Sequence, residues 1–424
     1  MKEDRIHNKS SRWIVTVLTF LFIQNMAFGQ ITARALGMGG AYTALARGVH
    51  APDWNPANLG LPDNPKLSMS FVSAGAQISN NSFTQGMYNK YVGKELSSGD
   101  VADILSSIPD NGLRFGVRGT ARLLSFSTGK FAMTLGCDFG TYGTLEKDIF
   151  ELIFKGNELD KMYRFDHIDA SGEGIGLIGF SYGDQVQVEF ADIFTVGGSL
   201  NLLYGLGYAK IEKADFSVIT KDSGFDLHGD YEARTAAMSD MGWGLTVGAA
   251  AKMDEKLTLS MSLTNLLGNM SWSNNVELAR GFIDADSVTV LDFDESGEDD
   301  LVADSSWTED ADRFSSRLPI QMRLGALYEE GDFVMTADYS QGFRTTAWTN
   351  TTPQFAFGTE WRKVSWLPLR MGVLLGGQLG FGTSFGLGVR PGGFVWDLAI
   401  MNRGFITSGS SKGLIVATEL GLEL

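Results

Sequence analysis

Cysteine, histidine and charge are scarce in this 424-residue chain. Its one Cys cannot form an internal disulfide bond, so a disulfide-stapled scaffold is excluded. Charged residues make up only 20% of the chain and hydrophobic residues 44%, which excludes a disordered protein. With 9 Pro and no three-residue glycine period, collagen is excluded as well. The formal net charge of −16 argues against nucleic acid as a partner.

Long apolar runs are also missing, which excludes a helical membrane protein. Residues 1–29 predict a secretory signal peptide, because a net positive start precedes the uncharged run 13–23 and the small residues Ala27 and Gly29. The alternative is an N-terminal membrane anchor, but this run is shorter than the ~20 residues that span a bilayer. Cleavage before Gln30 leaves 30 basic and 48 acidic residues.

Glycine and period-2 alternation are abundant. Gly makes up about 12% of the chain, against roughly 7% in average proteins. Apolar residues alternate with small or polar ones in many segments, as at Leu257, Leu259, Met261 and Leu263. This alternation predicts strands with one apolar face, which fits a soluble sandwich as well as a membrane barrel.

The connections between strands favour the barrel. Fourteen strands can be placed, with short connections after even-numbered strands, such as Glu330-Gly331 and Pro391-Gly392, and mostly long ones after odd-numbered strands. This asymmetry is typical of outer-membrane barrels, with short periplasmic turns and long outer loops. We therefore predict an all-β fold, a 14-stranded antiparallel transmembrane β-barrel over 66–424, in the bacterial outer membrane. The expected outer loops are 79–112, 144–171, 221–240 and 266–316.

A separate segment, 30–65, precedes the first strand and is too apolar for a free tail. Its glycines allow close backbone approach, and Asn55-Pro56 signals a turn with a helix start. We predict that this segment is a hatch that folds inside the barrel. The residues expected to shape it are Gly37, Gly39, Gly40, Asn55, Pro56 and Ala57.

The glycine-rich start, the alanine-rich stretch and Asn55-Pro56-Ala57 resemble the N-terminal hatch of the FadL family of outer-membrane transporters. The same pattern is similar to PorV-like barrels of type IX secretion, and the loops look like those of barrels from the Bacteroidetes lineage. The resemblance is specific over about 33–75. It implies a 14-stranded barrel closed by its hatch, which passes fatty acids or aromatic hydrocarbons sideways into the membrane.

Three arginines, Arg114, Arg118 and Arg122, fall on one face of the second strand. An Arg on the lipid face costs about 2–4 kcal/mol at mid-bilayer, so these side chains are expected to point into the lumen. There they would hold an anionic head group such as a carboxylate, together with Arg323 and Arg370. The alternative is a structural network with acidic lumen residues. The candidates for that pairing are Asp138, Glu419 and Glu423.

Two expected outer loops contain apolar helical patterns. These patterns predict an apolar groove over the barrel mouth, as in FadL-like proteins. Alternatively, the two patterns pack only on each other. The groove residues would be Ile104, Leu105, Ile108, Ile149, Leu152, Ile153 and Phe154.

The segment 284–312 is acidic and contains the start of a calcium-loop pattern, Asp292, Asp294 and Ser296. Ala303 replaces the bidentate Glu at its twelfth position, so calcium is a weak hypothesis beside a solvated surface loop.

No hydrolase or metalloprotease motif is present, so we expect no enzymatic activity and no cofactor. The predicted function is passive uptake of hydrophobic or amphipathic small molecules. The alternative is a non-transporting PorV-like scaffold that docks secreted proteins or other barrels through its outer loops. Expected partners are membrane lipid, lipopolysaccharide or outer-leaflet lipid, a hydrophobic small molecule and the barrel-assembly machinery.

Overall fold

The structure is a computed structural model that describes residues 31–289, 303–344, 351–405 and 409–424. The predicted signal peptide, residues 1–29, lies outside the described residues. The strands, in chain order, are β1 (Ser68–Asn80), β2 (Leu113–Thr128), β3 (Phe131–Leu145), β4 (Met162–Phe165), β5 (Asp169–Val186), β6 (Ile193–Lys221), β7 (Gly224–Ala236), β8 (Met238–Ser239), β9 (Met241–Lys252), β10 (Leu257–Asn274), β11 (Glu277–Val288), β12 (Ala303–Asp310), β13 (Phe314–Ser316), β14 (Gln321–Glu330), β15 (Phe333–Gly342), β16 (Gln354–Trp361), β17 (Leu369–Gly376), β18 (Gly380–Val389), β19 (Phe394–Arg403) and β20 (Gly413–Glu423).

Fourteen of these strands form a closed antiparallel barrel, which confirms the predicted fold class. The wall runs β1-β2-β3-β5-β6-β9-β10-β14-β15-β16-β17-β18-β19-β20. The last strand pairs with the first from Ser68↔Glu423 to Ser79↔Gly413, so the wall closes without a free edge.

The alternating residues sort as the sequence predicts. On β15, Phe333 and Met335 are exposed on the outside, whereas Thr336 and Asp338 between the apolar positions are buried. The same sorting on neighbouring strands gives the barrel an apolar outer surface and a small, polar lumen face. Because a bilayer is the solvent that suits such an outer surface, the chain lies in the outer membrane.

The two ends of the barrel differ. At the short-turn end, tight turns contain Gly129, Gly331 and Gly392 at positive φ, which glycine adopts without strain. At the opposite, long-loop end, most connections are long. The exception is the turn between β17 and β18, which closes within Gly376–Gly380.

Strands continue beyond the wall at the long-loop end and form a rim sheet. It consists of β4, the far half of β6, β7, β11 and β12, paired in that order. The expected loops 221–240 and 266–316 are therefore largely strand. The strand before the expected loop 266–316 is longer than the sequence predicts, since β10 continues to Asn274.

The remaining elements are short helices. No helix among the described residues is long and apolar enough to cross a membrane. The α-helices are Ala33–Gly37, Ala51–Trp54, Gln85–Tyr91, Ser98–Ser107 and Lys147–Lys155, and the 3-10 helices are Gly48–His50 and Pro56–Gly60.

Candidate functional site

Residues 31–61, which we call the plug, fill the lumen in the half of the barrel near the short-turn end. The whole plug is buried except Gly40, His50 and Asp53, which are half-buried. Wall side chains alone cannot fill the lumen of a 14-stranded barrel, so the buried plug occupies space that would otherwise stay open. The apolar plug side chains pack on Leu327 and Val334 of the wall.

Tyr42 is at the centre of this packing. Its ring meets Trp54 edge-to-face with the centroids 5.4 Å apart, a favoured aromatic geometry. Burial raises the pKa of Tyr42 to about 12, so its hydroxyl stays neutral. Burying side chains of this size contributes about 1.5–3 kcal/mol each, which favours the docked plug over a free tail.

Two ion pairs and one histidine–carboxylate contact join the plug to the wall at three places around the barrel. A buried charge is tolerated only when it is paired, so the ion pairs help to fix the plug's orientation. The ion pairs are Arg34 Nη2 with Glu360 Oε1 at 3.1 Å and Asp53 Oδ2 with Arg122 Nε at 3.1 Å, and His50 Nε2 lies 3.2 Å from Glu419 Oε1.

Backbone groups of the plug also bind the wall. The N–H groups of Tyr42 and Thr43 both donate to Asp338 Oδ2, at 2.9 and 2.8 Å. Thr336 donates its hydroxyl to the carbonyl of Ala41 at 2.9 Å. These bonds satisfy buried backbone groups that have no strand partner.

Two glycines let the plug touch the wall. A Cβ on Gly37 would lie 3.1 Å from the Cα of Gly386, and one on Gly39 would lie 2.7 Å from the nitrogen of Val373. Gly39 also has a φ of +70°. Close approach therefore requires glycine at 39, where both space and backbone conformation exclude a side chain.

Asn55 fastens the turn that leads from the plug toward β1. Its side chain accepts a hydrogen bond from Ala57 N at 3.0 Å and so caps the helix Pro56–Gly60. Its Nδ2 donates to the carbonyl of Ala249 at 2.9 Å and to the hydroxyl of Ser260. One fully buried side chain thus holds both the turn and the wall.

Between the plug and the long-loop end lies a lumen cavity with an empty volume of about 1340 Å³, open solvent included. Its lining is mixed. The apolar part includes Ile31, Leu36, Leu374, Met401 and Ile415, and the polar part includes Gln77, Arg118, Asn201, Asn265, Gln321 and Arg323. Such a surface suits an amphipathic ligand.

The wall beside this cavity is interrupted along β10. On the side of β9, three residues of β10 lie opposite the single residue Thr246, so the regular pairing of the two strands is interrupted there. On the other side, no ladder pair joins 265–269 to 317–320 among the residues that the structure describes. Asn265, at a φ of +52°, bridges this wall gap through Nδ2 to the carbonyl of Pro319 at 3.3 Å.

The five predicted arginines occupy three different environments. Arg118, Arg122 and Arg323 line the lumen cavity. Arg370 lies near the short-turn end, where Nη1 is 2.6 Å from Asp397 Oδ1 and Nε binds Glu360. Arg114 is exposed near the long-loop end, because β2 there extends past the cavity.

The three cavity arginines differ in their partners. Arg122 is neutralised by Asp138, at 2.7 and 2.9 Å, and by Asp53. Arg118 donates to the amide oxygen of Gln378, and Arg323 donates to Thr264 and Gln321 at 3.0 and 2.7 Å. Neither Arg118 nor Arg323 contacts a carboxylate in the described part of the chain.

Two apolar helices form at the long-loop end where the sequence predicts them. The helix Ser98–Ser107 begins with a capping box of Ser97 and Asp100. Hydrogen bonds from Ser97, assisted by Lys94, lower the pKa of Asp100 to about 2. Charge on this carboxylate suits the helix N-terminus.

The residues expected to line a groove pack mainly on one another. Leu105 and Ile108 are buried in a cluster with Phe150 and Phe154 of the helix Lys147–Lys155. Ile104 is buried, Ile149 and Leu152 are half-buried, and Ile153 is exposed. The structure shows packed helices here in place of an open groove, because each helix covers the other's apolar face.

The acidic segment 284–312 divides between the described and undescribed residues. Asp292, Asp294 and Ser296 lie outside the described residues, so calcium stays a prediction. The part from 303 to 310 is β12 of the rim sheet.

Sequence reasoning missed four wall or plug residues that hold the plug or its arginines: Asp53, Asp338, Glu360 and Asp397. The sequence contains a signal for Asp338 and the other acidic wall residues, because an acidic residue at an inward position of an alternating strand needs a partner in the lumen. Which partner it has depends on how the plug folds, and strand alternation carries no information about that.

Residues 56–399 match a sequence family described as a family of unknown function, DUF5723. The chain belongs to this family. A search of curated proteins finds no match.

Solved structures with a similar fold include hydrocarbon transporters. The toluene transporter TbuX of Ralstonia pickettii is 14% identical with a TM-score of 0.50, over 94% of this chain and 98% of that chain. The P. putida toluene transporter TodX is 13% identical with a TM-score of 0.50, over 94% and 99%. A TodX deltaS2S3 mutant, a monoaromatic hydrocarbon channel, is 14% identical with a TM-score of 0.53, over 94% and 99%.

At these identities the likeness shows a shared fold, that of the FadL-type barrels, over nearly the whole chain. The PorV-like and Bacteroidetes resemblances stay predictions, as does the lack of enzymatic activity.

Proposed function

We propose that this barrel is a passive outer-membrane channel for hydrophobic and amphipathic small molecules, with its long-loop end facing outward. The lumen cavity carries the proposal. It combines apolar side chains with half-buried Arg118 and buried Arg323, and neither arginine contacts a carboxylate among the described residues. A buried cation without an anion is costly, and a ligand head group would supply the missing charge.

The ligand class follows from this lining. A long-chain carboxylate would place its head group on the arginines and its chain against Leu374, Met401 and Ile415. Aromatic hydrocarbons would use the apolar part alone. The names of the structurally similar toluene and monoaromatic hydrocarbon transporters support the apolar half of this proposal.

The exit is sideways through the wall gap beside β10. Thr246, Thr264, Asn265, Pro319 and Gln321 line both the cavity and the gap. A wall without ladder hydrogen bonds opens at lower cost than a paired one. The plug closes the direct path to the periplasm, so a ligand in the cavity meets this gap first.

The cellular setting completes the proposal. The barrel would contact membrane lipid and lipopolysaccharide along its outer surface, and the barrel-assembly machinery would insert it. No cofactor enters this mechanism, and passage needs no chemical step.

A charge-specific test uses Arg118→Gln combined with Arg323→Gln. Uptake of a labelled long-chain carboxylate should fall about tenfold or more, because each charged hydrogen bond contributes about 1.5–3 kcal/mol. Uptake of the matching neutral alcohol should change little. Arg114→Gln, at an exposed position outside the cavity, is the control. Equal loss for the acid and the alcohol would mean that the two arginines are structural.

A second function, docking of secreted proteins or other barrels, is favoured by one observation, the rim sheet that extends past the wall. A scaffold of this kind needs no ligand path. Unchanged uptake of both compounds on expression of the wild-type chain would favour it over the channel.

A further inference from the structure

The outer edge of the rim sheet is open. β12 pairs with β11 along its whole length, from Ala303↔Asp284 to Asp310↔Glu277, without a register shift. Its other edge has no strand partner among the residues that the structure describes. All eight residues of β12 are exposed. Within the described ranges, one row of backbone N–H and C=O groups of β12 therefore has no strand to bind.

Open edges of this kind are normally protected by Lys, Pro, a bulge or a short strand, because they recruit other strands. The opposite edge strand of the rim sheet, β4, is protected by its length of four residues and by its buried Tyr163 and Phe165. β12 is twice as long and contains no Pro, Lys, Arg or bulge. Its edge is thus available for pairing.

The charges of β12 decide which strand it can accept. Asp304 and Asp310 lie on one face, and Glu309 on the other face pairs with Arg280. If two copies of β12 paired antiparallel about Trp307, Asp304 of each would lie opposite Asp310 of the other. Like charges directly opposite destabilise a strand pair, so a second copy of this chain is a poor occupant.

Trp307 adds an apolar contact on the face away from the two aspartates. Trp307 is 45% exposed. Exposed tryptophans are frequent anchors of protein interfaces. The occupant that fits is an extended segment with basic residues on one face and an apolar residue on the other.

We propose that β12 is a docking edge, on which a basic, extended segment of a partner protein adds a strand to the rim sheet. Main-chain hydrogen bonds would supply the affinity, and Asp304, Asp310 and Trp307 the specificity. This interaction does not depend on transport through the lumen.

Three synthetic ten-residue peptides test the proposal against the full chain in detergent micelles. The first alternates Lys with Thr or Val, the second replaces each Lys by Glu, and the third is the first with alternate backbone amides N-methylated. The Lys peptide should bind at least about tenfold more tightly than the other two, because only it has both the charge and the N–H groups.

Two protein variants complete the experiment. Asp304→Lys with Asp310→Lys should weaken binding of the Lys peptide at least about tenfold. Glu255→Lys with Asp332→Lys changes the same number of exposed charges at the short-turn end and should leave binding unchanged. Equal binding of the N-methylated peptide would overturn strand addition, and absence of binding or a dimer without peptide would overturn the proposed occupant.

Discussion

Single side chains attach the plug to the wall, and Asn55 is one that joins plug and wall through several hydrogen bonds. Its amide group serves a helix cap, a wall carbonyl and a wall hydroxyl at once. Because Ala57 and Ser260 are buried, removal of the amide leaves unsatisfied groups away from water.

Replacement of Asn55 by Ala should therefore loosen the plug and leave the wall intact. Loss of a cap costs about 0.5–2 kcal/mol, and an unsatisfied buried group about 1–3 kcal/mol. Hydrogen exchange of plug amides 41–60 should accelerate about tenfold or more. Asn157→Ala, at an exposed position bonded to Thr220, is the control. Unchanged exchange in the Asn55 variant would show that the plug is held elsewhere.

The arginines show which properties of a single side chain can be predicted from the sequence. Strand alternation predicts that Arg118 and Arg122 face the lumen, and they line the cavity. The alternative with Asp138 as an acidic partner matches the contact that Arg122 makes, whereas its second partner, Asp53, comes from the plug and could not be predicted from strand alternation. Arg370 was equally ambiguous, because its partners lie on other strands, Glu360 on β16 and Asp397 on β19.

At the level of elements, β10 departs most from a regular wall. It carries the wall gap on both of its sides, next to the cavity. Pro319 opposite the gap has no N–H with which to restore the ladder. The sequence predicts where β10 begins but misses the gap, because a bulge leaves little trace in alternation over so few residues.

A cysteine placed in the wall gap tests whether ligands leave there. In a Cys137→Ser background, labelling Asn265→Cys with a bulky maleimide should lower uptake of the labelled carboxylate about tenfold, equivalent to about 1.4 kcal/mol in the barrier. Gln77→Cys is the control, since Gln77 lines the cavity at a position of β1 that is paired on both sides, with Arg118 and Ile415. Equal inhibition at both positions would indicate that filling the cavity matters and the gap does not.

The sequence predicts the wall strands but does not predict the rim sheet. All fourteen wall strands follow from apolar alternation and turn residues, because the bilayer imposes that pattern on every wall strand. β7, β11 and β12 lie beyond the membrane, where water removes the constraint. The acidic residues of that region therefore predict a loop although the backbone forms a sheet.

At the scale of the whole molecule, the protein combines a closed wall, a buried plug and a cavity between the plug and the long-loop end. In the proposed function, the wall supplies an apolar exterior, the plug blocks water and ions, and the cavity accepts an amphiphile. The wall and a hatch inside it were predicted from the sequence, whereas the plug's contacts and the cavity depend on residues far apart in the chain.

The most direct test measures two solutes in cells that express the full chain or a variant lacking 31–55. The full chain should admit a labelled long-chain carboxylate and exclude a small neutral sugar, because only the carboxylate finds partners in the cavity. The deletion should admit both solutes. Side chains fill the lumen of a barrel of ~8 strands, but the wider lumen of a 14-stranded barrel stays open without its plug. A folded deletion variant that still excludes the sugar, or a full chain that fails to raise carboxylate uptake, would contradict the account.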